Sequence, residues 1–163
     1  MSYIRLEKDA DGIVDLIFDQ QGKSVNVMGD EYAEAMPKVL DELEAMDDLK
    51  GVYVRSGKPG QFFAGGDISM MMEMDLNPSD TERQRMFEGI LQAKAPLARL
   101  EKLGVPVAVG INGAALGGGY EIALACHYRL ALNNKSVKIG LPEAMLGLMP
   151  GAGGVVRMVR MLG

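Results

Sequence analysis

The sequence is poor in the residues that build disulfide and zinc sites. Its 163 residues include one cysteine, Cys126, one histidine, His127, and no tryptophan. These counts exclude a disulfide framework within one chain and leave a Cys/His zinc site short of ligands, so we expect no metal centre. No apolar run approaches the ~18 residues of a membrane span. The acidic, polar start also lacks the apolar region of a secretory signal.

The charge balance argues against two classes of partner. Lysine and arginine total 17, aspartate and glutamate total 22, and the net charge is −5 without a long basic run. Proteins that bind duplex nucleic acid or a membrane surface normally present a basic patch, so we expect neither as a partner. The expectation is therefore a soluble, cytoplasmic protein.

Glycine, in contrast, is abundant and clustered. It accounts for 21 of the 163 residues, nearly twice the usual ~7%. The clusters lie at 64–67, 117–119 and 150–154 among apolar residues, whereas a flexible linker would be rich in glycine and serine. This pattern predicts places where the backbone closely approaches a ligand or another element.

The spacing of apolar residues predicts one α/β domain over residues 1–163, built from repeated β-β-α units. Strands are predicted at 3–8, 12–18, 51–55, 62–64, 105–111, 128–132 and 136–139. Helices are predicted at 30–46, from about 67 to 77, at 80–95 after a capping box at 79–82, at 117–126 and at 153–162. Pro96 is expected to break the third of these helices, and a further helical piece follows it.

Residues 110–126 place a glycine-rich turn between a strand and a helix. A helix N-terminus offers unpaired N–H groups and a partial positive charge. Glu121 lies one helical turn after Gly118, so we expect its carboxylate beside the same N–H groups. An anion-stabilising donor next to an acid–base group is what carbonyl chemistry needs. The same pattern also fits tight helix–sheet packing with Glu121 as a first-turn acid.

Residues 62–68 repeat this design, with a strand, glycines and then Asp67 as a helix N-cap. Gly66 would present a second N–H group, and two converging N–H groups form an oxyanion hole. A plain turn followed by a cap is the alternative interpretation.

A second carboxylate lies in the segment 139–154. Pro142 fixes the backbone before Glu143, whose sequence neighbours are largely apolar. A carboxylate in apolar surroundings tends towards a raised pKa, which suits a general acid at neutral pH. A loop glutamate that projects into water is the alternative.

Two other patterns predict no site. The glycines at 151–154 follow a proline instead of a strand and lack dinucleotide-binding spacing. Cys126 and His127 are adjacent, so they cannot face each other as nucleophile and base on one helix. We therefore expect His127 to be structural, and a serine hydrolase would need a serine that the glycine-rich turn lacks.

Together, the three glycine-containing segments resemble the crotonase superfamily, the enoyl-CoA hydratase/isomerase family. FFAGGDI resembles its first oxyanion-hole motif, and INGAALGGGYEIALAC resembles the second, which carries the first catalytic glutamate. GLPEAMLGLMPGAGG resembles the segment with the second glutamate. The resemblance covers essentially the whole chain. From YRLA to RMVRMLG it is closer still, to the N-terminal hydratase region of bacterial multifunctional fatty-acid oxidation α-subunits.

The resemblance implies a crotonase-like spiral of β-β-α units, truncated at the C-terminus, and a coenzyme A thioester as substrate, with no separate cofactor. The thioester oxygen would rest on the N–H groups of Gly66 and Gly118. Glu121 would activate water, and Glu143 would exchange a proton at the α-carbon. The resemblance further implies a set of positions that line the CoA path or flank the oxyanion hole: Ser24, Val25, Ala64, Asp67, Ile68 and Gly117. Lys23 is a local candidate for holding the CoA phosphates.

The expected reaction is hydration of a trans-2-enoyl-CoA in fatty-acid β-oxidation. A Δ3-Δ2 enoyl-CoA isomerase and a non-catalytic acyl-CoA-binding module are the alternatives. Complete family domains are longer, so the chain is expected to be a fragment. The resemblance also implies a homo-oligomer such as a trimer or, within a longer subunit, a thiolase partner. Two positions depart from the family pattern, His127 in place of aspartate and Gly66 in place of alanine.

Overall fold

The computed structural model describes residues 3–67 and 77–163. The strands in this part of the chain are β1 (Ile4–Lys8), β2 (Ile13–Phe18), β3 (Gly51–Ser56), β4 (Val107–Ile111), β5 (Ala115–Leu116), β6 (Tyr128–Ala131) and β7 (Ile139–Gly140). The helices are α1 (Asp30–Glu44), α2 (Asp80–Glu101), α3 (Gly118–Ala125) and α4 (Gly154–Leu162), with a short 3-10 helix at Glu143–Leu146. None of the described helices is long and apolar enough to cross a membrane.

The main sheet has the strand order β1-β2-β3-β4-β6. The first two strands form an antiparallel hairpin, and the other neighbours pair in parallel. Val14, Leu16 and Phe18 alternate along β2 and are fully buried, as expected for a strand with one face on the core. The hairpin turn needs a left-handed residue, and Gly12 supplies it with a φ of +83°.

Each parallel strand of the main sheet is followed by a short second segment, and these segments pair with one another. Met28 bridges Gly66, and Phe63 bridges Ala115, both in parallel. Strand β5 in turn pairs in parallel with β7. The repeated unit is thus a long strand, a short strand and a helical segment, which confirms the predicted spiral of β-β-α units.

An aromatic cluster joins the two sheets and fixes the short segment 62–64. The Phe63 ring lies edge-on to Phe18, with centroids 5.3 Å apart, and edge-on to Tyr32 at 6.1 Å. All three rings are essentially inaccessible to solvent, and such pairs contribute about 0.5–1.5 kcal/mol beyond their buried area. Phe63 therefore anchors the backbone that leads directly into the glycines at 65 and 66.

The structure differs from the sequence predictions in its prolines. Helix α2 runs unbroken through Pro96, so the predicted break is wrong. A helical proline forfeits one hydrogen bond, but the turn that follows is held by tertiary contacts. Leu97 and Leu100 are fully buried, and Arg99 binds the carboxylates of Asp41 and Glu44 on α1. Helix α1, predicted over 30–46, also contains a proline, Pro37.

The short strands are also shorter than predicted. Residues 62–64 make a single bridge instead of a ladder, and of the predicted strand 136–139 only Ile139 pairs, together with Gly140. The capping box is confirmed, since the Ser79 and Glu82 side chains bond each other's backbone N–H groups. Most of the helix predicted from about residue 67 lies outside the described residues.

Two glycine-to-alanine substitutions test the close packing of α3 against the second strand segments. A Cβ at Gly119 would clash with the Phe63 carbonyl oxygen, whereas one at Gly89 in α2 would meet nothing within 4 Å. We expect Gly119→Ala to lower the free energy of unfolding by about 1–3 kcal/mol through overpacking. Gly89→Ala should raise it by about 0.5–1 kcal/mol, the helix-propensity gain. Urea titrations followed by circular dichroism measure both, and equal effects would contradict this packing.

Candidate functional site

The pairing of Gly66 with Met28 leaves one peptide N–H group pointing away from the ladder. Met28 makes both hydrogen bonds of the bridge, donating to Gly65 O at 2.8 Å and accepting from Asp67 N at 3.1 Å. In a parallel pair the opposite residue directs its own N–H and C=O to the other side. The Gly66 N–H therefore points away from Met28 and has no acceptor among the residues that the structure describes.

A second donor lies at the start of α3. Gly118 is the first residue of this helix, and the first N–H groups of a helix have no intrahelical partner. Gly117 precedes it with a φ of +52°, a conformation that favours glycine. The Gly117 N–H donates to Gly140 O at 2.9 Å, and this bond fixes the direction of the chain as it enters the helix.

The two glycine segments touch each other. A Cβ on Gly65 would lie 3.0 Å from Leu116 O and 4.0 Å from Gly117 Cα. Gly65 also has a φ of +104°, so a side chain at this position would be strained as well as crowded. The structure thus brings together the two segments that carry Gly66 and Gly118, which lie about fifty residues apart in the sequence.

Glu121 is buried on the first turn of α3, with 3% of its surface exposed. Its Oε1 accepts hydrogen bonds from Ala152 N at 2.8 Å and Gly154 N at 2.7 Å. Its other oxygen, Oε2, accepts none from the residues that the structure describes. Burial raises the pKa of the Glu121 carboxyl and the nearby Glu143 raises it further, against the two N–H groups and Arg157, which lower it.

Glu143 begins the 3-10 helix and points back towards α3. A Cβ on Gly117 would lie 3.0 Å from Glu143 Oε1, so this oxygen lies against the backbone beside the second donor. Glu143 Oε2 is buried and has no hydrogen-bond partner among the described residues. The apolar neighbours expected around Glu143 are only partly present, because Met145 and Leu146 project into solvent.

The positions predicted for the CoA path lie around the first donor segment. Ser24 is exposed and Val25 half-buried, and the next residue accepts a backbone bond from Ala64 N at 2.9 Å. Ala64 itself is exposed. Asp67 pairs with Lys23 at 3.1 Å. Ile68 lies outside the described residues.

Sequence reasoning missed Asn26, which organises the first donor segment. Its side chain is fully buried. The Nδ2 group donates to Phe62 O at 2.9 Å and to Ser56 Oγ at 3.1 Å, and Oδ1 accepts from Gln20 N at 3.0 Å. The available signal was a lone asparagine between two valines, because an amide flanked by apolar residues needs internal partners once it is buried.

His127 has a structural role, as predicted. Its Nδ1 accepts a hydrogen bond from Val107 N at 2.9 Å, and its Nε2 lies 3.1 Å from Glu101 O. These bonds join the start of β4 to the end of α2. Both ring nitrogens are thus engaged with backbone groups at the far end of α3 from Glu121.

The arrangement combines backbone donors for an anion with two carboxylates that each keep one oxygen unengaged by described residues. Fixed N–H groups aimed at a developing negative charge stabilise an oxyanion without reorganisation. Carboxylates with an open acceptor can hold water or move a proton. The site is therefore equipped for chemistry on a carbonyl compound in which an enolate-like oxygen appears and protons are transferred.

The chain is similar in sequence to proteins of known family. The family model described as enoyl-CoA hydratase/isomerase matches residues 9–163. The fatty acid oxidation complex subunit alpha of Idiomarina loihiensis is 41% identical over 97% of the chain, and that of Shewanella frigidimarina is 38% identical over 97%.

Solved structures give the same fold. The enoyl-CoA hydratase of Bacillus anthracis superposes with a TM-score of 0.82 at 26% identity, covering 97% of this chain and 57% of its own. That of Thermoplasma volcanium gives a TM-score of 0.84 at 23% identity, covering 100% and 60%. The chain spans 22% and 21% of the two curated relatives above.

The raised pKa of Glu121 predicts a pH-dependent effect of Glu121→Gln on stability. A carboxyl whose pKa is higher in the folded state favours folding below its ordinary value of 4.5, and this contribution is lost as the pH rises through the folded-state pKa. Glutamine keeps an oxygen for both N–H donors but does not ionise. The variant should therefore gain stability relative to wild type as the pH rises above 4.5 and level off above the folded-state pKa.

Chemical unfolding at a series of pH values measures this difference. Glu42→Gln, at an exposed position on α1, supplies the background effect of removing a carboxylate. A Glu121→Gln difference that stays constant over the whole pH range would contradict the assigned pKa shift.

Asn26→Ala should destabilise the fold by leaving buried backbone groups without partners. Each buried group that loses its partner costs about 1–3 kcal/mol, so we expect a loss in free energy of unfolding within or above that range. Asn133→Ala, at an exposed position, should change it by no more than about 0.5 kcal/mol. Urea unfolding of both variants is the measurement, and equal losses would show that Asn26 does not organise this region.

Proposed function

Since the chain belongs to the enoyl-CoA hydratase/isomerase family, we propose that it adds water to a trans-2-enoyl-CoA, giving a 3-hydroxyacyl-CoA in fatty-acid β-oxidation. The observation that carries this proposal is that two carboxylates lie close to each other at the start of α3. Glu121 is on the first turn of this helix, and Glu143, which raises the Glu121 pKa, has its Oε1 against Gly117. Hydration needs a group that activates water and a group that donates a proton, on the same face of the double bond.

In this proposal the thioester oxygen accepts hydrogen bonds from Gly66 N and Gly118 N. Negative charge develops on that oxygen when a nucleophile attacks the conjugated double bond. The donors are held by the Met28 bridge and by the start of α3, so they need no rearrangement as the charge appears. Loss of one oxyanion-hole donor typically costs about 10²–10³ in kcat.

The two glutamates divide the proton transfers. Glu121 Oε2 accepts a proton from water as the water oxygen bonds to C3, and the electrons of the double bond move towards the thioester oxygen. C2 then receives a proton from Glu143, and the proton on Glu121 returns to Glu143 through solvent. One water molecule is consumed, and both carboxyl groups recover their starting states.

The coenzyme end of the substrate is placed along the first donor segment. Ser24, Val25 and Ala64 belong to two segments joined by the bond from Ala64 N to Asn26 O, and Asp67 and Gly117 are the chain neighbours of Gly66 and Gly118. Lys23 keeps 47% of its side chain exposed while paired with Asp67, so it is available to an anionic ligand at the surface. We propose that Lys23 binds the phosphates of coenzyme A.

Two alternatives use the same scaffold. A Δ3-Δ2 enoyl-CoA isomerase moves a proton between carbons and can work with a single glutamate at position 143, because it needs no activated water. A non-catalytic acyl-CoA-binding module would keep the backbone donors and lack turnover. The unengaged Oε2 of Glu121 favours hydration over both.

The setting of the reaction is part of the proposal. The Idiomarina loihiensis relative is by its name a subunit of a fatty acid oxidation complex. We propose a corresponding cytoplasmic role for this chain, with a thiolase or further copies of the chain as partners.

Substitution of either glutamate should abolish most of the turnover. Loss of the absorbance of the conjugated enoyl thioester, on mixing the folded chain with a short trans-2-enoyl-CoA, measures hydration. We expect Glu121→Gln and Glu143→Gln each to lower kcat by about 10²–10⁴, the usual contribution of a general acid or base. Glu42→Gln serves as the matched control and should retain wild-type turnover. A folded wild-type chain that binds the thioester without consuming it would support the binding module instead.

The division of roles is tested by α-proton exchange. Exchange of the α-hydrogen of an acyl-CoA in deuterated water needs the group at Glu143 but not activated water. Glu121→Gln should therefore reduce hydration much more than exchange, which mass spectrometry reads directly. Equal reductions of both reactions would show that the assigned division is wrong.

A further inference from the structure

Arg157 on α4 is a nearly buried cation that the proposed chemistry does not use. Its side chain is 11% exposed. Nη1 donates to Ala152 O at 2.9 Å, while Nη2 and Nε donate to Glu101 Oε2 at 2.9 and 3.2 Å. The guanidinium thus joins the loop before α4 to the last residue of α2.

This loop is the one that holds the Glu121 carboxylate. The Glu121 Oε1 atom is bound by the N–H groups of residues 152 and 154. The peptide unit that carries the Ala152 carbonyl lies between the two peptide units that donate. Arg157 holds this central unit through Nη1, and its own backbone N–H donates to Gly153 O at 3.1 Å.

The planarity of the peptide bond couples the orientation of the Gly154 N–H group to the position of Arg157. Gly153 O and Gly154 N belong to one rigid peptide unit, so the backbone bond from Arg157 at one end orients the N–H that reaches Glu121 at the other. A Cβ on Gly153 would lie 2.7 Å from Arg157 Nη1, which shows how closely the guanidinium lies against the loop. The conformation of the loop at 152–154 therefore depends on the position of Arg157.

We propose that Arg157 is a positioning residue for Glu121: its guanidinium, held by Glu101, fixes the loop whose two N–H groups orient the Glu121 carboxylate and leave Oε2 open. This inference rests on the proposed function for its catalytic consequence, and on geometry alone for its effect on Glu121. It assigns Glu101 the role of holding Arg157 through an ion pair formed between α2 and α4.

The electrostatic surroundings of Glu121 give this proposal a specific signature. Among the residues that the structure describes, the titratable and charged groups that act on it from packed elements are Glu143 on the 3-10 helix, Arg157 on α4 and Tyr32 on α1. Of these, Arg157 alone favours the ionised carboxylate. Loss of its charge and of the N–H geometry should move the Glu121 pKa upwards, which a merely structural role would not do.

The first test compares Arg157→Gln with Arg160→Gln, which removes the same charge from an exposed position one turn along α4. Glutamate carrying ¹³C at the side-chain carboxyl is incorporated into the folded chain, and Glu121→Gln identifies the resonance by its disappearance. Carbon NMR titration of the free protein then reports the Glu121 pKa without any substrate. We expect a higher pKa than wild type in Arg157→Gln and the wild-type value in Arg160→Gln. An unchanged value in Arg157→Gln would overturn the proposal.

The second test reads the pH dependence of hydration. The acid limb of the kcat/KM profile should move to higher pH in Arg157→Gln, with a fall of about 10²-fold for a displaced catalytic group. Arg160→Gln should keep the wild-type profile. If wild type shows no turnover, the proposed function fails while the NMR titration still decides the role of Arg157.

A conservative variant keeps the test decisive if Arg157→Gln does not fold. Arg157→Lys keeps the charge but lacks the planar fork that binds Ala152 O and Glu101 together. Its Glu121 pKa should lie above that of wild type, because the loop is no longer held in place. A wild-type Glu121 pKa in Arg157→Lys would show that simultaneous binding of Ala152 O and Glu101 is unnecessary, and it would overturn the proposal.

Discussion

The site depends on backbone hydrogen bonds between the short second strands of successive units. Met28 pairs with Gly66, Phe63 with Ala115, and β5 with β7. Because these bonds involve no side chains, they set the positions of the donor peptides independently of the chemistry that surrounds them. The cost is steric: a Cβ at position 65 or 119 would crowd a backbone oxygen of the neighbouring segment, and positions 65 and 117 have positive φ values that favour glycine. The glycine clusters are therefore a requirement of the pairing as much as of a ligand.

The pairing explains what the sequence could and could not reveal. The strand-glycine-helix segment at 110–126 was predictable, as were the strand and glycines at 62–66, because their signals are local: a run of strand-forming apolar residues and then a glycine group. Contact between Gly65 and Gly117 follows from the parallel ladder, which local patterns do not specify. The hydrogen bonds from the N–H groups of residues 152 and 154 to Glu121 join positions about thirty residues apart. Because almost every residue has a backbone N–H group, no residue type in the sequence marks these two donors. Asn26 was missed because its partners come from three separate segments: backbone atoms of residues 18 and 20, the Ser56 hydroxyl and the Phe62 carbonyl.

Where prediction failed in the fold, tertiary contacts outweighed a local preference. Pro96 removes one hydrogen bond from α2, but Leu97 and Leu100 are fully buried just beyond it. Burying a leucine side chain contributes about 1.5–3 kcal/mol, which is comparable to the ~3 kcal/mol penalty of a helical proline. Two buried leucines and the ion pairs of Arg99 therefore suffice to continue the helix. The helix end matters for the site, because Glu101 is its last residue.

Helix α4 is held in place chiefly by polar contacts. Gly154 is its only fully buried residue among those described, and Val155, Val156 and Val159 are exposed. What fixes its start is the chain of bonds from Glu101 through Arg157 to the loop at 152–154, and from that loop to Glu121. A buried carboxylate is costly unless hydrogen bonds compensate it, and here the compensating groups belong to an element with little apolar anchorage. One polar network therefore sets both the orientation of Glu121 and the position of α4. A change at Glu101 or Arg157 must alter the orientation of Glu121, and a change at Glu121 must alter the start of α4.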